Sequence, residues 1–152
     1  MRTLELRRHA KRDPDVDRLS ADGRAQAEDV GRGLDRAVDV VFVSPAERAA
    51  ETAAWILRGA GQQLPEHAVI PGLAGKDPSG GSPDAMAAGI RTLLGRVPEG
   101  GFGLAVGHTP FVERTVIGLT GEQPEPFAEC EGIRVSREGD GALDVREVRL
   151  SR

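Results

Sequence analysis

Two histidines stand at the ends of short apolar runs in this chain, His9 after Thr3 to Arg8 and His108 after Gly101 to Val106. Both have cationic company. Arg8 precedes His9, and Arg48 falls in the first turn of a helical pattern that opens at Ser44-Pro45, the end of a third run, Val38 to Val43. Imidazole and guanidinium groups gathered without a central carboxylate form a pocket suited to a phosphoryl group. Guanidinium forks match phosphate oxygens, and the starts of the helices after Ser44 and Thr109 add backbone donors and positive dipole ends. A neutral imidazole can attack phosphorus, and a protonated one can bind its charge. The transition state of phosphoryl transfer spreads charge over the equatorial oxygens, so fixed cations stabilise it by preorganised electrostatics. His9 would carry the phosphoryl group covalently until water releases it.

These side chains must be brought together by the elements that hold them. Thr3 to Arg8 alternates Leu4 and Leu6 with Glu5 and Arg7 and reads as a strand. Lys11 to Arg18 is polar, contains Pro14 and reads as a loop over the end of that strand. A helix is expected over about residues 20–36, with Ser20 as cap, Leu19 as staple and Ala27, Val30 and Leu34 on its apolar face. Val38 to Val43 reads as a strand buried on both faces, and the helix after Ser44-Pro45 carries Ala49, Ala53, Ile56 and Leu57 at helical spacing. His67 to Ile70 is a candidate short strand, residues 71–81 a long glycine- and proline-rich loop, and Ser82-Pro83-Asp84 the cap of a third helix. Gly101 to Val106 is a further strand. Thr109 then reads as a hydroxyl cap and Pro110 as the first residue of a fourth helix. Ile133 to Val135 and Ala142 to Leu150 close the chain as two strands joined at Gly139-Asp140-Gly141. This alternation predicts one three-layer α/β/α domain, residues 1–152, with a largely parallel, mixed sheet. In such folds ligands collect beyond the carboxyl ends of the strands, where Arg8-His9, Ser44-Pro45 and Gly107-His108 all fall.

Composition narrows the partners. A formal net charge of −4 provides no broad basic field for nucleic acid. No stretch approaches membrane-spanning length, and the N-terminal residues lack the apolar core of a signal peptide, so a cytoplasmic protein is expected. The single cysteine, Cys130, cannot form an internal disulfide, and Arg134 follows it at the wrong spacing for a cysteine phosphatase loop. The three histidines lack the paired spacing of a zinc site, so no metal and no cofactor are expected. His67 reads as structural or exposed. Gly72 to Asp77 lacks the earlier glycine and the hydroxyl of a phosphate loop. Ser44, before proline, reads as a helix cap rather than a nucleophile. On residue type alone, Arg7, Arg12 and Arg18 read as solvated.

Taken together, Arg8-His9-Ala10, Val43-Ser44-Pro45 with Arg48-Ala49 and Glu51-Thr52, Gly107-His108 and the helix opening Leu19-Ser20-Ala21-Asp22-Gly23 resemble the motifs of the histidine phosphatase superfamily, the phosphoglycerate-mutase-like clan, in order and spacing. The resemblance covers about residues 3–120, and the short length matches its small SixA-like branch of phosphohistidine phosphatases. It implies a phosphoglycerate-mutase-like fold and a phosphatase with His9 as nucleophile. Arg8, Arg48 and His108 would hold the phosphoryl group, and Arg18 matches a basic residue near the substrate. The implied partners are a phosphohistidine protein or a small phosphorylated molecule.

The chain departs from the family pattern twice. Ala10 stands where glycine is usual, so the turn after His9 must accept a Cβ. Gly72 stands where many members carry a glutamate as general acid, leaving Asp77 and Asp15 as the expected candidates for a proton donor. A phosphoramidate tolerates that loss better than a sugar phosphate, because its nitrogen can be protonated before cleavage. A non-catalytic phosphate-binding module that kept its anchors is the alternative reading.

Overall fold

The chain contributes six strands to one sheet: β1 (Arg2–Arg8), β2 (Val40–Val43), β3 (Ala68–Val69), β4 (Phe102–Gly107), β5 (Gly132–Arg137) and β6 (Asp144–Val148). Four helices alternate with them: α1 (Ala21–Arg32), α2 (Glu47–Gly59), α3 (Pro83–Gly95) and α4 (Phe111–Thr120). These elements come from a computed structural model, which describes residues 1–150. The strand order is β3-β2-β4-β1-β5-β6. β1 to β4 run parallel, β5 runs antiparallel to β1, and β6 antiparallel to β5, so the sheet is mixed as expected.

Alternation along the central strands builds two cores. Phe102, Leu104 and Val106 of β4 pack with Ala27, Val30, Ala53, Ile56 and Leu57 of α1 and α2. Leu4 and Leu6 of β1 turn to the other side and pack with Ile90, Leu94, Val112 and Val116 of α3 and α4. That gives three layers. Aromatics are few, and small residues let the helices approach instead. A Cβ at Gly31 would lie 1.9 Å from the Ile56 carbonyl oxygen, and one at Gly59 would lie 1.9 Å from that of Glu28. Either would force α1 and α2 apart.

The element limits differ from the sequence reading where side chains compete for the backbone. Gln62 bonds both the N–H and the carbonyl of Val38, and Asp39 accepts from the Phe102 N–H, so the β2 ladder begins at Val40. α1 stops at Arg32 because Gly33 caps it, leaving Leu34 partly buried beyond the helix. Ser20 caps α1 as expected, accepting from the Gly23 N–H. A Cβ on Gly23 would meet the Lys11 carbonyl oxygen at 2.0 Å, so this glycine seats the start of the loop that follows β1 against α1. Within the expected 71–81 loop, Pro71–Ala74 winds into one 3-10 turn. No helix is long and apolar enough to cross a membrane among the described residues.

Candidate active site

The C-terminal ends of β1, β2 and β4 lie side by side, with Arg8 opposite Gly107 and Val43 opposite Val106 in the ladders. The residues after each strand therefore meet. The His9 and His108 rings stand 5.2 Å apart, edge to face, and both residues are buried.

His9 is held in one tautomer. Its Nδ1 lies 2.7 Å from the Ala10 carbonyl oxygen, which can only accept, so the proton sits on Nδ1 and the lone pair on Nε2. The Ala10 N–H donates to the Thr52 hydroxyl at 3.0 Å, and that hydroxyl donates to the Arg48 carbonyl at 2.7 Å. α2 thus anchors the turn that carries the nucleophile. Ala10 is fully buried without positive φ, so its Cβ costs the turn nothing. Burial, followed by the charges of Arg48 and Arg8, pushes His9 below its ordinary pKa and outweighs the Ala10 bond. It is neutral at pH 7.

His108 is fixed from the other side. Arg48 has donors only, so the 3.4 Å contact between its guanidinium and His108 Nδ1 makes that nitrogen an acceptor. Nε2–H then donates to the Ser44 hydroxyl at 2.5 Å. Burial first, and the neighbouring His9, Arg48 and Arg8 next, lower the His108 pKa to about 4. Two cap expectations are corrected here. Ser44 does not cap α2, whose N-cap is Ala46, but orients His108. Thr109 does not cap α4 either: Pro110 occupies the N-cap, α4 begins at Phe111, and the Thr109 hydroxyl donates to Glu113 at 2.7 Å.

Arg8 and Arg48 are partly committed and partly open. Arg8 donates to the Phe127 carbonyl at 3.0 Å and pairs with Glu129 at 3.3 Å. The buried carboxylate of Glu113 supports that carbonyl by accepting from the Phe127 N–H at 2.9 Å. Arg48 pairs with Asp17 at 2.8 Å. The Nε atoms of both arginines are buried with no hydrogen-bond partner. An unpaired buried donor costs roughly 1–3 kcal/mol, so two in one site mark places for an acceptor.

Arg48, His108, Asp17, Ala74, Lys76 and Phe111 line a cavity of about 450 Å³. Lys76, not singled out as a cation in the sequence, reaches this cavity from an exposed turn. Its signal was its rarity, since Lys11 is the only other lysine. Gly72 faces elsewhere. With Asp77 it lines a separate cavity against α3, and a Cβ on Gly72 would meet Asp77 Oδ2 at 3.5 Å. Asp77 is tied to the Ser79 hydroxyl and N–H, and the Ser79 hydroxyl foremost holds its carboxyl below the usual range. Asp15 and Arg18 are exposed, and neither is among the residues that line the Arg48 cavity. The structure joins His9, Arg8, Arg48 and His108, while Arg18 and Asp15 stand exposed and Asp77 lies on the other cavity. Asp17 is the one carboxylate lining the cavity. Cys130 is buried and its thiol is pushed up to about 12, foremost by burial, so it takes no part in this chemistry. Among the described residues no group of three His, Cys, Asp or Glu side chains is placed to hold a metal ion.

The arrangement agrees with what the chain is similar to. The family model "Histidine phosphatase superfamily (branch 1)" matches residues 3–74. A structure of the protein histidine phosphatase SixA complexed with tungstate superposes with a TM-score of 0.73 at 24% identity, covering 95% of this chain and 94% of that one. A phosphoglycerate mutase from Bacillus anthracis gives 0.77 at 16%, with 96% and 92% covered. A phosphoserine phosphatase from Entamoeba histolytica gives 0.73 at 18%, with 100% and 98% covered. No match was found among curated proteins. The three-layer, mixed-sheet fold expected from the sequence is thus the phosphoglycerate-mutase-like one.

Proposed function

We propose that the chain is a histidine phosphatase that transfers a phosphoryl group from its substrate to His9 and then to water. The observation that carries this reading is the pair of buried, unpartnered Nε donors on Arg8 and Arg48 beside an imidazole whose Nε2 lone pair is free. Nε2 attacks phosphorus; the bond between phosphorus and the leaving atom breaks as the N–P bond forms, and the leaving group takes the electron pair. Arg8 and Arg48 hold the equatorial oxygens, where negative charge spreads. An arriving dianion favours the protonated form of His108, whose Nδ1 can then donate to a phosphoryl oxygen. Water next attacks the phosphohistidine, and inorganic phosphate leaves with His9 regenerated.

The leaving group narrows the substrate. Neither Gly72 nor the cavity-lining Ala74 and Lys76 supplies a carboxylic acid, Asp77 faces the other cavity, and Asp17, the one carboxylate lining this one, is held as an anion by Arg48 and the α2 amides. We assign the chain to substrates whose leaving group departs without strong acid assistance: a phosphohistidine side chain or a comparable small phosphorylated molecule. Turnover of a phosphohistidine peptide, an aryl phosphate and a sugar phosphate tests this. The first two should exceed the sugar phosphate in kcat/KM by about a hundredfold or more. His9→Ala should abolish turnover and the acid-labile, alkali-stable phosphoenzyme. Retained activity in that variant would falsify the covalent route, and binding of phosphate without turnover of any substrate would support a non-catalytic module.

A further inference from the structure

Asp17 sits where an anion is wanted. Its Oδ2 accepts from the Glu47 N–H at 3.0 Å, and its Oδ1 accepts from the Arg48 N–H at 3.3 Å and from the Arg48 guanidinium at 2.8 Å. These donors are the first turn of α2 and the arginine fork, the same set that suits a phosphoryl group. Asp17 belongs neither to α2 nor to a strand. It lies in the polar segment between Lys11 and Leu19, which is exposed through most of its length. Lys11 is pinned at Gly23 and the Leu19 N–H is held by Glu51 at 2.6 Å, so both ends of the segment are fixed, and of its residues Asp17 lines the cavity. The Asp17 side chain retains 41% of its exposure, so water can take over its hydrogen bonds when it leaves. Partial burial works against its charge and is outweighed by the hydrogen bonds from Arg48 and from the Glu47 and Arg48 amides, which hold its carboxyl below the usual range. It is an anion, not a poised acid.

Resting on the phosphatase reading above, we infer that Asp17 is an internal anion that competes for Arg48 and must be displaced before a phosphoryl group is bound. The segment 11–18 then sets a threshold that every anion must meet before it holds Arg48. An incoming dianion replaces one carboxylate charge by two and also reaches Arg8, which offsets the displacement. A competitor that must leave before any anion binds reduces all anion affinities by the same factor, the fraction of molecules with Arg48 free.

The test is titration of the full-length chain with inorganic phosphate and, separately, with vanadate, for wild type, Asp17→Asn and Asp17→Ala, each checked by thermal unfolding. Asparagine keeps an acceptor for the α2 amides and loses the charge, so it separates competition from capping. Both variants should bind both probes tighter, by about three- to tenfold and by a common factor. Unchanged or weaker binding in Asp17→Asn overturns the inference and makes Asp17 a prop for Arg48. A gain for one probe only also overturns it. A loss of kcat confined to alkyl esters makes Asp17 a proton donor and overturns it too. Failure of the phosphatase reading looks different: neither wild type nor the Asp17 variants then bind either probe, and Arg48→Ala changes nothing.

Discussion

Arg7 and Arg8 are neighbours in the chain, and the sheet sends them into opposite roles. Arg7 faces the α1 side of β1 and is buried. It donates to Glu5 at 2.7 Å and to the Cys130 carbonyl at 2.6 Å, while the second oxygen of Glu5 takes two hydrogen bonds from Arg134 on β5, at 2.8 and 2.6 Å. Arg7, expected to be solvated, is instead the closed centre of an ion cluster beneath the antiparallel edge. Arg8, one residue on, leaves the strand end with its Nε unpartnered. A buried charge whose partners are complete contributes to structure. One that lacks an acceptor is kept for a ligand.

The largest effects should break along that line. Arg7→Ala leaves the Glu5 carboxylate buried with Arg134 as its remaining cation, and should cost about 3–5 kcal/mol of stability in a denaturant titration. Arg8→Ala should leave the unfolding midpoint close to wild type and lower kcat/KM by about 10²–10³, the usual effect of removing one preorganised donor from a transition state. If Arg8→Ala unfolds the chain as readily as Arg7→Ala, the distinction between the two arginines fails.

Acid should next separate the two regions. His9 and His108 are held below their ordinary pKa, His108 at about 4, because the folded pocket disfavours their charged forms. The unfolded chain therefore binds more protons between about pH 6.5 and 4. The stability contributed by these two groups is complete above pH 6.5 and is lost as pH falls through that window. Activity should hold at pH 6.5 and then fall about tenfold per pH unit once His9 protonates. His108→Gln should flatten the acid limb of the unfolding midpoint, whereas Arg134→Met, in the ion cluster, should lower stability without changing that limb. An unaltered limb in His108→Gln would remove His108 as its source.

What could be read in advance follows from how local each signal is. The strand ends, the Ser20 cap and the placement of His9, His108, Arg8 and Arg48 depend on short patterns, and all reappear in the structure. The burial of Arg7 is not legible in the sequence because alternation within one strand says which face a residue takes, not what covers that face. The Cys130 carbonyl and Arg134 of β5, far along the chain, complete the cluster around Arg7 and Glu5. The role of Ser44 is hidden for a related reason. A hydroxyl before proline suggests a cap, but the strand order places β4 beside β2, and the imidazole of His108 takes the hydroxyl first. Ser44→Ala should accordingly leave α2 intact by circular dichroism and lower kcat/KM about tenfold, an effect sized to loss of one orienting hydrogen bond of roughly 1–1.5 kcal/mol.

The smallest effect discriminates between two exposed cations, Arg18 and Lys76. By resemblance, Arg18 is the substrate contact, yet it is exposed and does not line the cavity, whereas Lys76 does. Lys76 stands at the mouth through a turn in which Gly75 adopts φ 66°, and a Cβ there would meet the Phe111 ring at 2.4 Å. The turn is therefore tied to α4, and the Lys76 charge stays near His108 without being buried. An exposed cation acts mainly through a screened field, so Lys76→Ala should raise KM for a dianionic substrate about two- to threefold at low ionic strength, with kcat unchanged and the difference gone by 0.5–1 M salt, where the Debye length is only ~3–4 Å. Arg18→Ala should do less at every salt concentration. The reverse order would mean that segment 11–18 swings Arg18 inward as Asp17 leaves Arg48, which would tie both residues to the same displacement.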